Sequence, residues 1–185
     1  MSQDLPVTSY ALLGLLTFGD ELTGYELKQR ADRTLRFYWV APAMSQVYSE
    51  LRRLTDLGLV TPSDVASVES RGTTYRLSPR GHAELTRWMV ESEPGFPVLK
   101  HPVALRLLLG HLVDPARTVA MLERHLAALE QERQALVAVQ ESLRGRDGPV
   151  GPFRYPALVA DWGLAYFEGE QRIVRGLLAR VRADS

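Results

Sequence analysis

Ser45, Gln46, Ser49, Arg52 and Arg53 lie close together in the chain and carry side chains suited to reading a nucleic acid. The amide of Gln46 can pair with the N6/N7 edge of adenine, a guanidinium can reach guanine or phosphate, and the serine hydroxyls can reach phosphate oxygens. The same five residues could instead form a solvated helix face, so the elements around them must decide. Tyr48 falls at the boundary of this face, where core packing and phosphate contact are both open. Arg71-Gly72 offers a cation on a short turn that could enter a minor groove or touch phosphate, although an Arg-Gly turn by itself is usually just a turn. Lys28 is either a phosphate contact or a solvated charge.

Other chemistries find less support. No G-x-x-x-x-G-K, G-x-S-x-G or H-E-x-x-H string occurs, so nucleotide hydrolysis, acyl transfer and zinc hydrolysis lack their signatures and no enzyme is expected. His82, His101, His111 and His125 show no i, i+4 pairing and no cysteine supports them, so neither a metal site nor a cofactor is expected. The absence of cysteine excludes disulfides and fits a reducing cytosol. Trp39, Trp88 and Trp162 could line a pocket for a small apolar or aromatic effector between the two halves of the chain. A Trp on an apolar stripe is more often core or interface. Residues 1–6 lack a basic n-region and the longest apolar run, Tyr10 to Leu16, is far too short for a bilayer, so a cytoplasmic location is expected.

The reading face needs a scaffold, and one is legible between residues 22 and 81. Thr23 and Glu26 have the spacing of a capping box, and Leu22 and Leu27 that of a hydrophobic staple, so a helix starts at Thr23. A second helix is predicted over residues 45–57. Val47, Leu51 and Leu54 form its core stripe, Ser45, Ser49, Arg52 and Asp56 fall on the opposite face with Gln46 and Arg53 flanking it, and Gly58 follows as the stop. Alternation from Thr73 to Ser78 predicts a half-buried strand, with Ser70-Arg71-Gly72 as the preceding turn. Its partner, within residues 60–69, contains Pro62 and must be an edge strand. Ser78-Pro79 then opens another helix. Capped helix, outward polar helix and hairpin, in that order, predict a winged helix-turn-helix.

Four segments carry a family resemblance: Leu12-Leu13-Gly14-Leu15-Leu16, Thr23-Gly24-Tyr25-Glu26-Leu27, Ser45-Gln46-Val47-Tyr48-Ser49-Glu50-Leu51 and Tyr75-Arg76-Leu77-Ser78-Pro79-Arg80-Gly81. Together they resemble the PadR family of bacterial transcriptional regulators. The C-terminal half, with Arg106-Leu107-Leu108-Leu109 and a Tyr155-containing last helix, is similar to the virulence-activator branch. The resemblance implies a mainly α protein whose N-terminal winged helix precedes a helical dimerisation region. It also implies repression of a neighbouring gene, relieved by a small molecule, although related proteins activate.

The domains are expected at 1–93 and 98–185, separated by the Pro94-Gly95-Phe96-Pro97 break. In the second, residues 99–112 read as an apolar helix and residues 115–145 as a long one. Leu122, Leu126, Leu129, Leu136 and Leu143 follow heptad spacing on the long helix, which at about 1.5 Å per residue is roughly 46 Å, so a partner chain is the expected cover. A turn-rich loop at 145–152 precedes a last helix, about 155–181, whose Tyr155, Trp162 and Tyr166 join the expected dimer interface. Close packing is expected to offset the cost of Gly163, Gly169 and Gly176 within it.

Net charge is zero, and each half is neutral by itself. Over the two helices that would approach a duplex, however, Lys28, Arg30, Arg33, Arg36, Arg52 and Arg53 outnumber Glu26, Asp32 and Glu50 by three, and by two once Asp56 at the end of the second helix is counted. Binding follows such a local patch. The expected partners are therefore an operator duplex and a second copy of the chain. A winged helix that meets another protein, without binding DNA, is the rival that the neutral total favours.

Overall fold

A computed structural model describes residues 5–19, 21–67, 70–96, 100–144 and 151–183, with side chains omitted for 64–71. The loop expected at 145–152 lies outside the described residues up to position 150, as do Pro97 and the side chain of Arg71. The chain divides into two compact units, Met1–Gly95 and Phe96–Ser185. Most of it is helical, with one small antiparallel sheet. Among the described residues, no helix is long and apolar enough to cross a membrane.

The first unit is built on three helices, α1 (Val7–Leu15), α2 (Gly24–Thr34) and α3 (Met44–Asp56). Leu12 and Leu13 of α1, Leu27 and Ala31 of α2, and Val47, Leu51 and Leu54 of α3 are all at 0% exposure. Each large aliphatic side chain of this set contributes about 1.5–3 kcal/mol through burial. The start of α2 is fixed as expected. Thr23 Oγ1 accepts from the Glu26 amide at 3.2 Å, and Glu26 Oε2 accepts from the Thr23 amide at 2.8 Å. After α3, Gly58 takes φ +69°, a conformation that a side chain would strain.

Strands β1 (Leu22–Thr23), β2 (Val60–Ser67) and β3 (Ser70–Leu77) form a sheet in the order β1-β3-β2. Pro62 lies opposite Tyr75 on the edge strand β2, as its missing donor requires. The expected Ser70-Arg71-Gly72 turn is corrected: Ser70 pairs with Ser67, Arg71 with Ala66 and Gly72 with Val65, so all three belong to β3. The ladder runs further than side-chain alternation revealed, because backbone pairing needs no apolar residue. Helix α4 (Pro79–Glu91) begins at Ser78, whose hydroxyl accepts from the Gly81 amide at 2.9 Å. It packs on α1 by stacking Trp88 on Tyr10, with ring centroids 4.6 Å apart. Tyr10 donates to Glu84, which also pairs with Arg87 at 2.7 Å.

In the second unit, α5 (Pro102–Leu108) gives way to a short 3-10 turn at Gly110–Leu112, so the single apolar helix expected over 99–112 is broken. The break falls at Leu109, which leaves helical geometry immediately before Gly110. Asp114 caps α6 (Pro115–Leu143), accepting from the Ala116 amide at 2.7 Å. Helix α7 (Arg154–Ala183) returns antiparallel to α6: Gln140 bonds Asp161, Gln171 bonds Glu130, and Arg182 bonds Glu123.

Here the expectation of a partner chain on α6 needs correction. Leu122, Leu129 and Leu136 are buried within the chain, and the covering helix is α7, through Ala160, Phe167, Val174 and Leu178. Both helices bury residues at seven-residue intervals, so each supplies the seam that the other needs. Leu126 and Leu143 are half-buried. Gly163 has the expected packing role, since a Cβ there would sit 2.7 Å from Leu136 Cδ2, whereas Gly169 and Gly176 have open space around them.

Candidate nucleic-acid interface

The polar face of α3 is displayed as its spacing predicts. Ser45, Gln46, Ser49 and Arg52 are exposed while the opposite stripe is sealed in the core. Gln46 Oε1 accepts from the Ala43 amide at 2.9 Å, so this side chain helps to start its own helix. Ser49, also exposed, donates to Gln46 O at 2.9 Å.

The cations divide into two sets. Arg52 projects from the outer face. Arg53 is turned inward, where its guanidinium pairs with Glu50 at 2.7 Å and donates to the buried Ser9 hydroxyl, which itself donates to Glu50. The three groups tie α3 to α1, so Arg53, half-buried beside the outer face, also carries a bond network between the two helices. Lys28 is likewise engaged, in an ion pair with Asp32 one turn along α2. Arg30 donates to Leu15 O at 3.3 Å, and the guanidinium of Arg36 lies over the Phe37 ring at 4.6 Å.

Tyr48 resolves into a third role beside the two left open. Its ring is 47% exposed and rests on Gly24, where an added Cβ would lie 2.6 Å from Tyr48 Cε1. Gly24 thus lets α2 and α3 approach closely under an aromatic ring. Sequence reasoning passed over this glycine, although its place directly after the Thr23 cap and its match to a family segment were available signals. Gly81 was passed over too: a Cβ there would meet Leu59 O at 2.0 Å.

Gly72 is exposed on β3, and a Cβ there would reach only Thr23 Cγ2, at 3.8 Å. The backbone of Arg71 lies beside it in the strand. Of the three Trp residues, Trp88 is stacked on Tyr10 in the first unit and Trp39 is 49% exposed there. Trp162 belongs to the second unit, 63% exposed and 6.4 Å from Tyr166.

With this geometry in place, residues 12–87 match the transcriptional regulator PadR-like family, and residues 99–172 match the virulence activator alpha C-terminal family. The chain therefore carries a PadR-like domain followed by a virulence-activator C-terminal region. A negative transcriptional regulator PadR from Bacillus subtilis is 36% identical over 89 residues. That stretch is 48% of each protein, so the match spans about half the length of this relative. Bacillus subtilis PadR solved in complex with operator DNA superposes with a TM-score of 0.80 at 24% identity, covering 95% of this chain and 99% of that one. The same regulator in complex with p-coumaric acid gives 0.75 at 24% identity over 96% and 99%. These likenesses establish a PadR-like winged-helix fold. PadR-like proteins are transcriptional regulators and not enzymes.

Two of the four histidines, expected to be scattered, meet in the fold. His101, His125 and Glu170 bring a ligand atom each within 4.8 Å of one another. Separations of 24 and 45 residues along the chain hide this cluster from any spacing rule.

Proposed function

We propose that this chain is a sequence-reading DNA-binding transcriptional regulator that acts as a homodimer. The observation that carries the reading is the α3 face, where Ser45, Gln46, Ser49 and Arg52 stand exposed opposite a fully buried stripe. On this reading α3 enters a major groove and the β2–β3 hairpin lies beside it with Arg71 and Gly72. Tyr48 and Lys28 border the contact, and Arg53 supports it from behind. The Bacillus relative solved on operator DNA supports the assignment through its shared fold.

Dimerisation is supported by α7. Tyr155, Leu158, Trp162, Tyr166 and Ile173 are each at least 47% exposed, while the opposite face of the helix is spent on α6. In this proposal residues 98–185 form the dimerisation domain and residues 1–93 the DNA-binding domain. Two-fold symmetry then sets two α3 helices on half-sites about 34 Å apart, and the operator is nearly palindromic. The regulator works in the cytoplasm, on the chromosome when bound. It represses, and a small aromatic effector bound near Trp39, Trp88 or Trp162 relieves repression, a reading supported by the p-coumaric acid complex of the relative.

Fluorescence anisotropy with duplexes from the region upstream of the gene, measured over a salt series, tests the central claim. One duplex should bind far more tightly than random sequence, and affinity should fall steeply with salt as counterions are released. No affinity for any duplex at low salt would overturn it in favour of a protein-docking winged helix. In the same assay p-coumaric acid should quench Trp emission and release the operator; quenching without release would defeat the effector role.

A further inference from the structure

Three polar side chains of the second unit converge, none of them among the residues assigned above to DNA or to the dimer face. His101 stands at the N-terminus of α5, His125 on α6 and Glu170 on α7, with side-chain exposures of 16%, 21% and 14%. Glu170 Oε1 lies 2.9 Å from His101 Nε2 and 3.4 Å from His125 Nε2. The imidazole rings meet edge to face at 87°, so both present a nitrogen to the same oxygen.

We propose that His101, His125 and Glu170 bind one divalent transition-metal ion of the zinc type, with the remaining position open to water. Bonds of about 2.1 Å to nitrogen and oxygen make the edge of a tetrahedral zinc site about 3.4 Å. The two separations to Glu170, 2.9 and 3.4 Å, lie within about half an ångström of that edge, and the imidazole nitrogens, within 4.8 Å of each other, close onto the ion by small ring rotations. Two imidazoles and one carboxylate also select the metal class: they suit zinc, cobalt and nickel, whereas magnesium and calcium require a shell of oxygens.

The competing arrangement is a closed hydrogen-bond cluster, and one bond distinguishes the two. His101 Nδ1 accepts from the Ala104 amide at 3.1 Å, so the neutral ring carries its proton on Nε2 and donates it to Glu170. A metal at Nε2 displaces that proton, and the tautomer with hydrogen on Nδ1 can no longer accept from Ala104. Loading therefore exchanges one helix-capping bond for a cross-link among three elements. Nothing in α5 is buried, so the exchange would pin a helix that its own packing holds weakly.

Untagged full-length protein, stripped with chelator and titrated with cobalt and zinc, provides the test. One ion should bind per chain, with the visible absorption of tetrahedral cobalt and a thermal midpoint raised by zinc. His125→Ala and Glu170→Gln should each weaken binding by about a hundredfold or more. His111→Ala, outside the cluster, should bind as the wild type does. Substoichiometric binding by the wild type, or equal binding by a folded Glu170→Gln protein, would overturn the site. Glu170→Gln preserves shape, so the test stands even if His125→Ala fails to fold. None of these readouts uses DNA, and so the outcome is independent of the proposed function.

Discussion

Gln46 Oε1 accepts the Ala43 amide, and pairing with both N6 and N7 of an adenine would require that oxygen to let go. A helix-capping bond contributes about 1 kcal/mol, whereas a good bidentate base contact discriminates by about 1–3 kcal/mol, so the base can win the exchange. Gln46→Ala should cost about 1–3 kcal/mol on the cognate duplex and relax its sequence preference, with only a small loss of stability. Gln46→Glu keeps the cap acceptor but loses the amide donor, so it should bind poorly at nearly full stability; urea unfolding beside anisotropy separates the two effects. Arg53 is tested differently. Removing it leaves the Glu50 carboxylate between α3 and α1 with the Ser9 hydroxyl but no counter-charge, so Arg53→Ala should lower stability by about 1–3 kcal/mol, as measured by urea denaturation. Arg52→Ala should leave stability unchanged and weaken all duplexes with a shallower salt dependence.

At the scale of elements, the parts legible from sequence were those whose rules are local. Thr23 and Glu26 cap α2 from three residues apart, and Val47, Leu51 and Leu54 mark the buried side of α3 within two turns. Strand β1 was not legible, because two residues carry no periodicity and its partners are Tyr75 and Thr74. The α6 leucines show a further limit: heptad spacing specifies a helical partner without saying whether that partner lies in the same chain. Electrostatics of the α6–α7 pair yields a pH prediction. The Arg133 guanidinium foremost, then the Gln171 and Gln134 amides, hold the Glu130 carboxyl well below the usual carboxylate range. A carboxyl that titrates lower when folded contributes fully above its unfolded value, near pH 4.3, and its contribution is lost as pH falls through the folded value. Glu84, lowered chiefly by Arg87, acts in the same direction in the first unit, so the informative comparison is between wild type and Glu130→Gln. Urea midpoints should show the variant less stable at neutral pH and the difference shrinking below about pH 4.

For the whole molecule, the exposed aromatic face of α7 makes assembly state the decisive measurement. Trp162→Glu combined with Ile173→Glu places charges where a partner would bury them, outside the α6–α7 seam. The double variant should sediment as a monomer with unchanged helical circular dichroism, and it should lose most operator affinity because two half-sites are no longer held together. A variant that remained a dimer would remove this face from the interface. The two units also differ in how they must assemble. In the second, α6 and α7 are consecutive in the chain and pair as a hairpin, so their seam closes by zipping outward from one connection. In the first, Leu22 and Thr23 cannot find Tyr75 and Thr74 until some fifty intervening residues have been drawn in, a loop closure costly in chain entropy. The capping box of Thr23 needs only its own neighbours. Helix α2 should therefore be in place before the sheet accepts its third strand, and in refolding followed by pulsed hydrogen exchange the β1–β3 amides should be among the last in their unit to gain protection.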